Sequence, residues 1–335
     1  MRTYTTDYLV IGGGLAGSTL GFLLRQAGAN VIVTELLDAR AKSKLCGGII
    51  ASLATKTFET VYGTNELLTL QPLQCQDWTT SCFESSYTIH TQYPIVQRKD
   101  LDDYCLKRYL DSDGILLDRV KTTAVNTAEH TAVCLDLRTK EHLTITYNTL
   151  VAADGATSLT RRMLTGRKAR FVLTLEGTVP NIGNYIEFNV MPQFNGYCWY
   201  IPRREDAQIG CIYQYNYSQG RRERLRNYCN RLGLDVPRLR SAPVPSGDDI
   251  LLSAQENTWF IGDAAGLADA FGGGGIHYAL VSAQLLANSL LGSTPYTQAM
   301  EPHLQELKKI ASTVDQRYLA ICIKAALTRS DSQQN

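Results

Sequence analysis

The chain has 335 residues, 33 basic against 32 acidic side chains, a formal net charge of +1 and 44% hydrophobic content. Charges so evenly balanced, with no run of either sign, exclude the electrostatic footprint of a nucleic-acid binder, and the apolar fraction can fill one large core or two moderate ones. No segment reaches the roughly 18 uninterrupted apolar residues of a membrane span, and MRTYTTDYLVIGGG at the start lacks a signal-length apolar stretch, so a cytoplasmic protein is expected. Asp7 to Gly12 reads as a buried strand, Leu15 to Gln26 as a helix closed by Gly28, and Val31 to Glu35 as a second strand, together a βαβ unit. A helix from about Lys99 to Leu110 follows, then short strands between Ile115 and Tyr147 and a buried strand from Leu150 to Asp154. Phe171 to Tyr215 alternates in strand fashion through IEFNV, YCWYI and IGCIYQY, which predicts an antiparallel sheet. A basic helix from about Arg221 to Leu232, the turn-rich SAPVPSGDD, the strand TWFIGD and a helix from Ile276 to about Leu291 come next. Two amphipathic helices and a frayed SDSQQN tail end the chain.

Cysteines stand at 46, 75, 82, 105, 134, 198, 211, 229 and 322, an odd and scattered set without a CxxC pair. Neither a disulfide framework nor a zinc site follows from that spacing, and most of these thiols are expected to be small buried hydrophobes.

The run Gly12-Gly13-Gly14-Leu15-Ala16-Gly17 lies between strand and helix, the context that makes GxGxxG informative. Gly12 permits the tight turn, Gly14 lets the backbone approach a pyrophosphate, and Gly17 lets the helix pack close to the sheet, while the amides at Leu15 and Ala16 face the phosphates. Glu35 closes the second strand where the fingerprint expects an acid for ribose hydroxyls. These residues alone leave NAD and FAD open.

Two later segments, VAADGATS (Val151 to Ser158) and FIGDAAGLADAFGGGGI (Phe260 to Ile276), resemble signatures of the flavoprotein superfamily that includes para-hydroxybenzoate hydroxylase. The resemblance implies FAD, with Asp154, Gly262 and Asp263 at the cofactor and Asp263 on the ribityl chain. Gly273, Gly274, Gly275 and Ile276 would present backbone N–H groups at a helix start, where a dipole stabilises negative charge on reduced flavin. Arg98 with Asp102 resembles the superfamily's Arg-x-x-x-Asp helix; a cofactor contact through Arg98 and an ordinary solvated helix face both remain open.

KLCGG at Lys44 to Gly48, GYCWYIPRREDAQIG at Gly196 to Gly210, and GDAAGLADAFGGGGIHYAL at Gly262 to Leu280 together resemble the geranylgeranyl reductase family. This resemblance covers most of the chain and implies hydride transfer from reduced FAD to carbon–carbon double bonds of an isoprenoid. Cys46 would sit by the flavin with Gly47 and Gly48 letting the backbone come near, and Tyr197 and Trp199 would line the substrate pocket. Proton donation, transient redox exchange and space filling all remain open for the Cys46 thiol. Tyr197 and Trp199, at i and i+2, share one strand face and are read either as a ligand wall or as core packing.

The chain departs from the family pattern at Ile201, Ala270 and Ile212 and is short at its C-terminal end. Rival readings are an aromatic hydroxylase, against which Gly266 stands where a His is common, a halogenase, whose WxWxIP comes close to YCWYIP, and a non-catalytic flavoprotein. No second GxGxxG exists, so NADPH or a reduced ferredoxin is expected to dock only transiently as donor. For YLAICIKAAL, Tyr318 to Leu327, two fates are open: contact with a bilayer surface, or packing on the FAD domain. The expected fold is α/β: a Rossmann-like FAD-binding domain (1–72, 96–165 and 248–292) with an inserted antiparallel-sheet substrate domain (73–95 and 166–247), followed by C-terminal helices (293–335), as in para-hydroxybenzoate hydroxylase.

Overall fold

Strand β1 (Arg2–Ile11), helix α1 (Leu15–Gln26) and strand β2 (Val31–Glu35) form the βαβ unit that the apolar pattern predicts. The structure is a computed structural model that describes residues 2–70, 73–83, 85–213 and 219–333, including all their side chains except those of 69, 70, 73–76, 91, 92 and 329–333. Helices α2 (Ser52–Tyr62) and α3 (Glu66–Leu70) and the hairpin β3 (Leu73–Cys82) and β4 (Ser85–Ile95) come next. None of these four was expected from the pattern. The chain continues through α4 (Arg98–Leu110), β5 (Ile115–Asp118), β6 (Val120–Asn126), β7 (Thr131–Asp136), β8 (His142–Ala152) and α5 (Leu159–Thr165). Strands β9 (Phe171–Pro180), β10 (Tyr185–Met191), β11 (Gly196–Pro202) and β12 (Asp206–Tyr213) precede α6 (Arg221–Arg231) and β13 (Arg240–Pro245). The last elements are β14 (Ser253–Gln255), β15 (Thr258–Phe260), α7 (Ile276–Leu290), α8 (Tyr296–Ser312) and α9 (Val314–Gln333). Residues 214 and 215 of the expected strand, residues 71 and 72 at an expected domain boundary, and the terminal residues 334 and 335 lie outside those described.

The first sheet runs β14-β15-β8-β1-β2-β5, with β6 and β7 attached to β8. Its centre is parallel, β1 pairing with both β2 and β8. Buried on both faces, these strands read as near-continuous apolar runs rather than alternations. Helix α1 lies against this sheet and against α4 and α7, so it is covered on almost every side. Leu20 and Leu24 are fully buried there, each contributing about 1.5–3 kcal/mol by leaving water. Gly21 is what permits the approach of α4: a Cβ on it would lie 2.8 Å from the Tyr109 ring.

The second sheet runs β13-β9-β12-β11-β10-β3-β4. It departs from the expected all-antiparallel arrangement at one pair, since β10 lies parallel to β3 in the register Tyr185↔Asp77. The hairpin arrives from a distant part of the chain and adds to the edge strand β10 in the direction its entry allows. Alternation sorts the two faces as predicted. Cys198 and Tyr200 join Cys211, Tyr213, Tyr228 and Cys229 under α6, while Tyr197, Trp199 and Ile201 face the opposite way.

Helix α9 packs chiefly on the second sheet and meets the FAD domain at the glycine loop, where Tyr318 bonds the Phe271 carbonyl. It packs on β3, β4 and β10 of the second sheet, with Val314 and Tyr318 in the cluster around Tyr197 and Trp199. A disulfide between Cys82 on β3 and Cys322 on α9 fastens it, across 240 residues of sequence. Scattered spacing carries no signal for a pair so far apart. The other described cysteines are free, and Cys105, Cys134, Cys198, Cys211 and Cys229 are buried as small hydrophobes.

Candidate active site

The glycine turn after β1 is built by backbone contact. Gly12 has φ +110°, and a Cβ on it would lie 2.3 Å from the Ala153 carbonyl oxygen at the end of β8. A Cβ on Gly17 would lie 1.9 Å from the Gly12 oxygen, so Gly17 is what seats α1 on the turn. Gly14 has nothing within 4 Å of its Cβ direction, which leaves open space in front of the first amides of α1 at Leu15 and Ala16. Glu35 reaches back from β2 and accepts from Gly13 N at 3.0 Å and Leu37 N at 2.9 Å. Lys42 lies across both, donating to Glu35 Oε2 at 2.5 Å and to the Gly13 carbonyl at 2.7 Å. The sequence reading missed Lys42, whose surroundings in the chain look like any solvated loop.

Asp154, expected at the cofactor, follows β8 with its backbone N 2.8 Å from the Cβ direction of Gly12. Its carboxylate accepts from Ser158 Oγ and from the amide and hydroxyl of Thr160, turning toward the start of α5. Burial raises its pKa against these stabilising bonds. Its role here is to hold the turn at Ala153 on which Gly12 closes.

Gly262 and Asp263 stand in a short 3-10 turn after β15, and a Cβ on Gly262 would lie 3.0 Å from the Ala16 Cβ. The two signatures, about 250 residues apart in sequence, thus touch at the start of α1. Asp263 pairs with Lys44 at 2.5 Å, and its Oδ1 lies 3.2 Å from the Cβ direction of Gly275. Four successive glycines precede α7, and the amides of Gly273, Gly274, Gly275 and Ile276 were expected to face the flavin. Asp269 takes a large part of them: it accepts from Phe271, Gly272 and Gly274 N–H groups, while Gly273 N donates to the Asp269 carbonyl. Among the described residues no hydrogen bond takes the N–H of Gly275 or Ile276, which are among the free donors at this helix start. Asp269 was not singled out in the sequence, although Asp is a common partner for nearby loop amides.

Cys46, Gly47 and Gly48 run along the seam between the two sheets. Gly48 (φ +78°) would place a Cβ 2.1 Å from the Val96 oxygen, and residues 48–50 pair with 94–96 through Val96 N to Gly48 O at 2.9 Å and Ile50 N to Pro94 O at 2.9 Å. This clamp brings Cys46 beside the first turn of α4. Arg98, at that turn, is buried and held by Asp102 at 2.9 and 3.2 Å. Its positive charge is favoured by Asp102, and further by Cys46 and Asp263, against the cost of burial. Arg98 Nε is buried with no partner among the described residues. A Cβ on Gly47 would lie 2.3 Å from Ile201 Cδ1 and 3.4 Å from Gln208 Oε1, so the second sheet closes directly on this segment.

The facing wall is aromatic. Tyr197 lies 5.8 Å from Trp199 and 5.2 Å from Phe188, ring centre to ring centre, and Phe188 stacks on Trp78 at 4.7 Å. Tyr197 donates to the Gly272 carbonyl at 2.7 Å and Tyr318 to that of Phe271 at 3.1 Å, tying the glycine loop to the second sheet and to α9. Burial holds the Tyr197 phenol well above its ordinary pKa, so it acts as a hydrogen-bond donor. Trp199 Nε1 is buried and unpartnered among the described residues.

Residues 7–66, from β1 into α3, match the family described as FAD binding domain. The start of the chain is thus similar to an FAD-binding domain. An uncharacterised protein of Methanosarcina barkeri is 25% identical over 325 residues, 91% of this chain and 80% of its own length. A geranylgeranyl diphosphate reductase of Rhodobacter capsulatus is 25% identical over 316 residues, 85% of this chain and 75% of its own. In fold, the chain superposes with a TM-score of 0.71 and 18% identity on a geranylgeranyl bacteriochlorophyll reductase-like protein of Thermoplasma acidophilum, over 97% of this chain and 87% of the other. It superposes equally on the flavin-dependent brominase Bmp2, with a TM-score of 0.76 and 14% identity over 97% and 90% of the two chains. The open space at Gly14, the free amides of Gly275 and Ile276 and the unpartnered Arg98 Nε fit FAD stretched along the Gly14-to-Gly275 line.

Proposed function

We propose that this protein reduces carbon–carbon double bonds of an isoprenoid or similarly apolar molecule. FAD, once bound and reduced, supplies the hydride; the protein binds, orients and keeps water out. With FAD bound, the first amides of α1 would face its pyrophosphate, Glu35 and Lys42 would serve the adenosine ribose, and Asp263 and Lys44 would serve the ribityl chain. Gly275 and Ile276 N–H groups meet the negative charge of the reduced ring.

One observation carries this reading: Gly47, next to Cys46, closes on Ile201, which shares a buried face with Tyr197 and Trp199. Such a wall suits a greasy substrate with few polar groups. The similarity to a geranylgeranyl diphosphate reductase over most of the chain supports the same class of substrate. NADPH or a reduced ferredoxin reduces the flavin by transient docking.

The test is anaerobic. Dithionite-reduced holoprotein is mixed with geranylgeranyl compounds, with quinones and with aromatic acids, and flavin absorbance is followed. Reoxidation by the prenyl compounds, without oxygen or halide, is the expected outcome; turnover that requires oxygen and an aromatic acid or halide assigns the protein to the monooxygenase or halogenase class instead. Cys46→Ser reoxidising at the unchanged rate excludes a chemical role for the thiol.

A further inference from the structure

Glu176 lies on β9, opposite Gly210 of β12, on the face that looks toward Cys46 and Gly47. It is 3% exposed. Gln208, also 3% exposed, donates its Nε2 to Glu176 Oε2 and leaves Oε1 without a partner, 3.4 Å from the Cβ direction of Gly47. Two buried and unpartnered polar atoms, Gln208 Oε1 and Trp199 Nε1, therefore flank this acid on the same face. Buried polar groups left unpaired are costly unless a ligand completes them.

The hydroxyl of Thr174 is placed to bond Glu176 in either protonation state. Its Oγ1 lies 2.6 Å from Glu176 Oε1 and 3.2 Å from the Ala242 carbonyl oxygen. A hydroxyl has one proton to give. Ala242 is paired with Thr174 across the β13–β9 ladder, so its carbonyl does not depend on this hydroxyl, and a protonated Glu176 can donate to Thr174 while Thr174 donates to Ala242. The charges that face Glu176 agree with a neutral acid. Arg203 is bound to Asp206 at 2.6 Å and Lys44 to Asp263 at 2.5 Å, each with its own carboxylate, while Arg240 on β13 is exposed to water. Tyr197, on the other side, is a neutral phenol. Burial raises the Glu176 carboxyl more than these neighbours lower it. Glu187, on the opposite face of the sheet, makes the contrast: it has Arg231 at 2.5 Å and Ser81 at 2.8 Å, an ion pair that suits the charged form.

We infer that Glu176 is the proton donor of this site, a neutral carboxylic acid stored on the inner face of β9 to protonate the double bond as hydride arrives. The inference rests on the reductase reading above. The balance is complete: the π pair of the alkene takes the proton from Glu176 at one carbon, the hydride pair from reduced flavin closes the other, and a saturated C–C bond, oxidised flavin and the Glu176 carboxylate remain. Thr174 then lies 2.6 Å from the carboxylate as the first group of a return path for the proton.

The test has two arms on the full chain. In the first, infrared difference spectra of cofactor-free protein at neutral pH compare wild type with Glu176→Gln; a protonated-carboxyl band present in wild type and lost in the variant is expected. No such band in wild type overturns the inference. In the second, reduced holoprotein is reoxidised anaerobically by a geranylgeranyl compound across pH. Glu176→Gln is expected to slow reoxidation about 100-fold, within the usual worth of a general acid, and to remove the high-pH limb of the profile, with flavin absorbance and melting temperature unchanged. Glu176→Asp, which keeps the acid, restores the limb in part. A Gln variant as fast as wild type with the same profile overturns the inference. Wild-type protein that no isoprenoid reoxidises rejects the reductase reading alone, and the infrared band still decides the state of Glu176.

Discussion

Gly12 turns at φ +110° with the Ala153 carbonyl 2.3 Å from where a Cβ would be, so two separate strand ends depend on the absence of one carbon. Gly12→Ala adds both a clash with backbone and the strain of a left-handed conformation, about 1–3 kcal/mol for the strain alone. The expected outcome is protein that loses bound flavin on gel filtration where wild type keeps it, read from the ratio of flavin to protein absorbance. Glycines of this kind were legible because the requirement is local: a strand, a turn and a helix fix the geometry within a few residues. Lys42, Lys44 and Asp269 were not legible. Each acts on a partner set by the fold, and a lysine or aspartate in an irregular stretch has the same local appearance whether it is paired or solvated. Asp154 was recognised by its motif, and its carboxylate bonds Ser158 and Thr160 within its own turn.

Helix α9 is where element and site meet. Its apolar periodicity announced a helix with one buried face, but several surfaces could have received it. The second sheet receives it because Tyr318 finds the Phe271 carbonyl and Val314 enters the aromatic cluster of β10 and β11. The Cys82–Cys322 bond then holds it. Closing a loop of this length is worth about 2–5 kcal/mol. Cys82→Ser is expected to lower stability by that amount in denaturant titrations under oxidising conditions. Strong thiol reductant is expected to bring wild type to the same midpoint as the variant; coincident midpoints without reductant would show that the bond contributes nothing. The β3–β4 hairpin was missed for a related reason, since its polar strands sit at a sheet edge where one face needs no apolar partner.

At the scale of the whole molecule, the first sheet brings Gly12 and Gly262 to one end, and the second sheet brings Ile201 and Gln208 onto Gly47. FAD spanning that line binds only the folded chain. Adding FAD at about 100 times its dissociation constant is expected to raise stability by about 2.7 kcal/mol, a clear upward shift of the melting temperature with yellow protein recovered after dialysis. Colourless protein with an unmoved melting curve would overturn the assignment of the cofactor. The βαβ unit, the GxGxxG and GD turns, the alternating strands around YCWYIP and the α/β class could all be read from the residues, because each is written in short-range periodicity and in glycines whose backbone demands are local. The parallel seating of the hairpin on β10, the Cys82–Cys322 bond, the capture of the glycine-loop amides by Asp269 and the buried Glu176 beside Gln208 could not. They join residues tens to hundreds of positions apart, or depend on which groups a buried atom finds within 3 Å, and only a folded chain settles such distances.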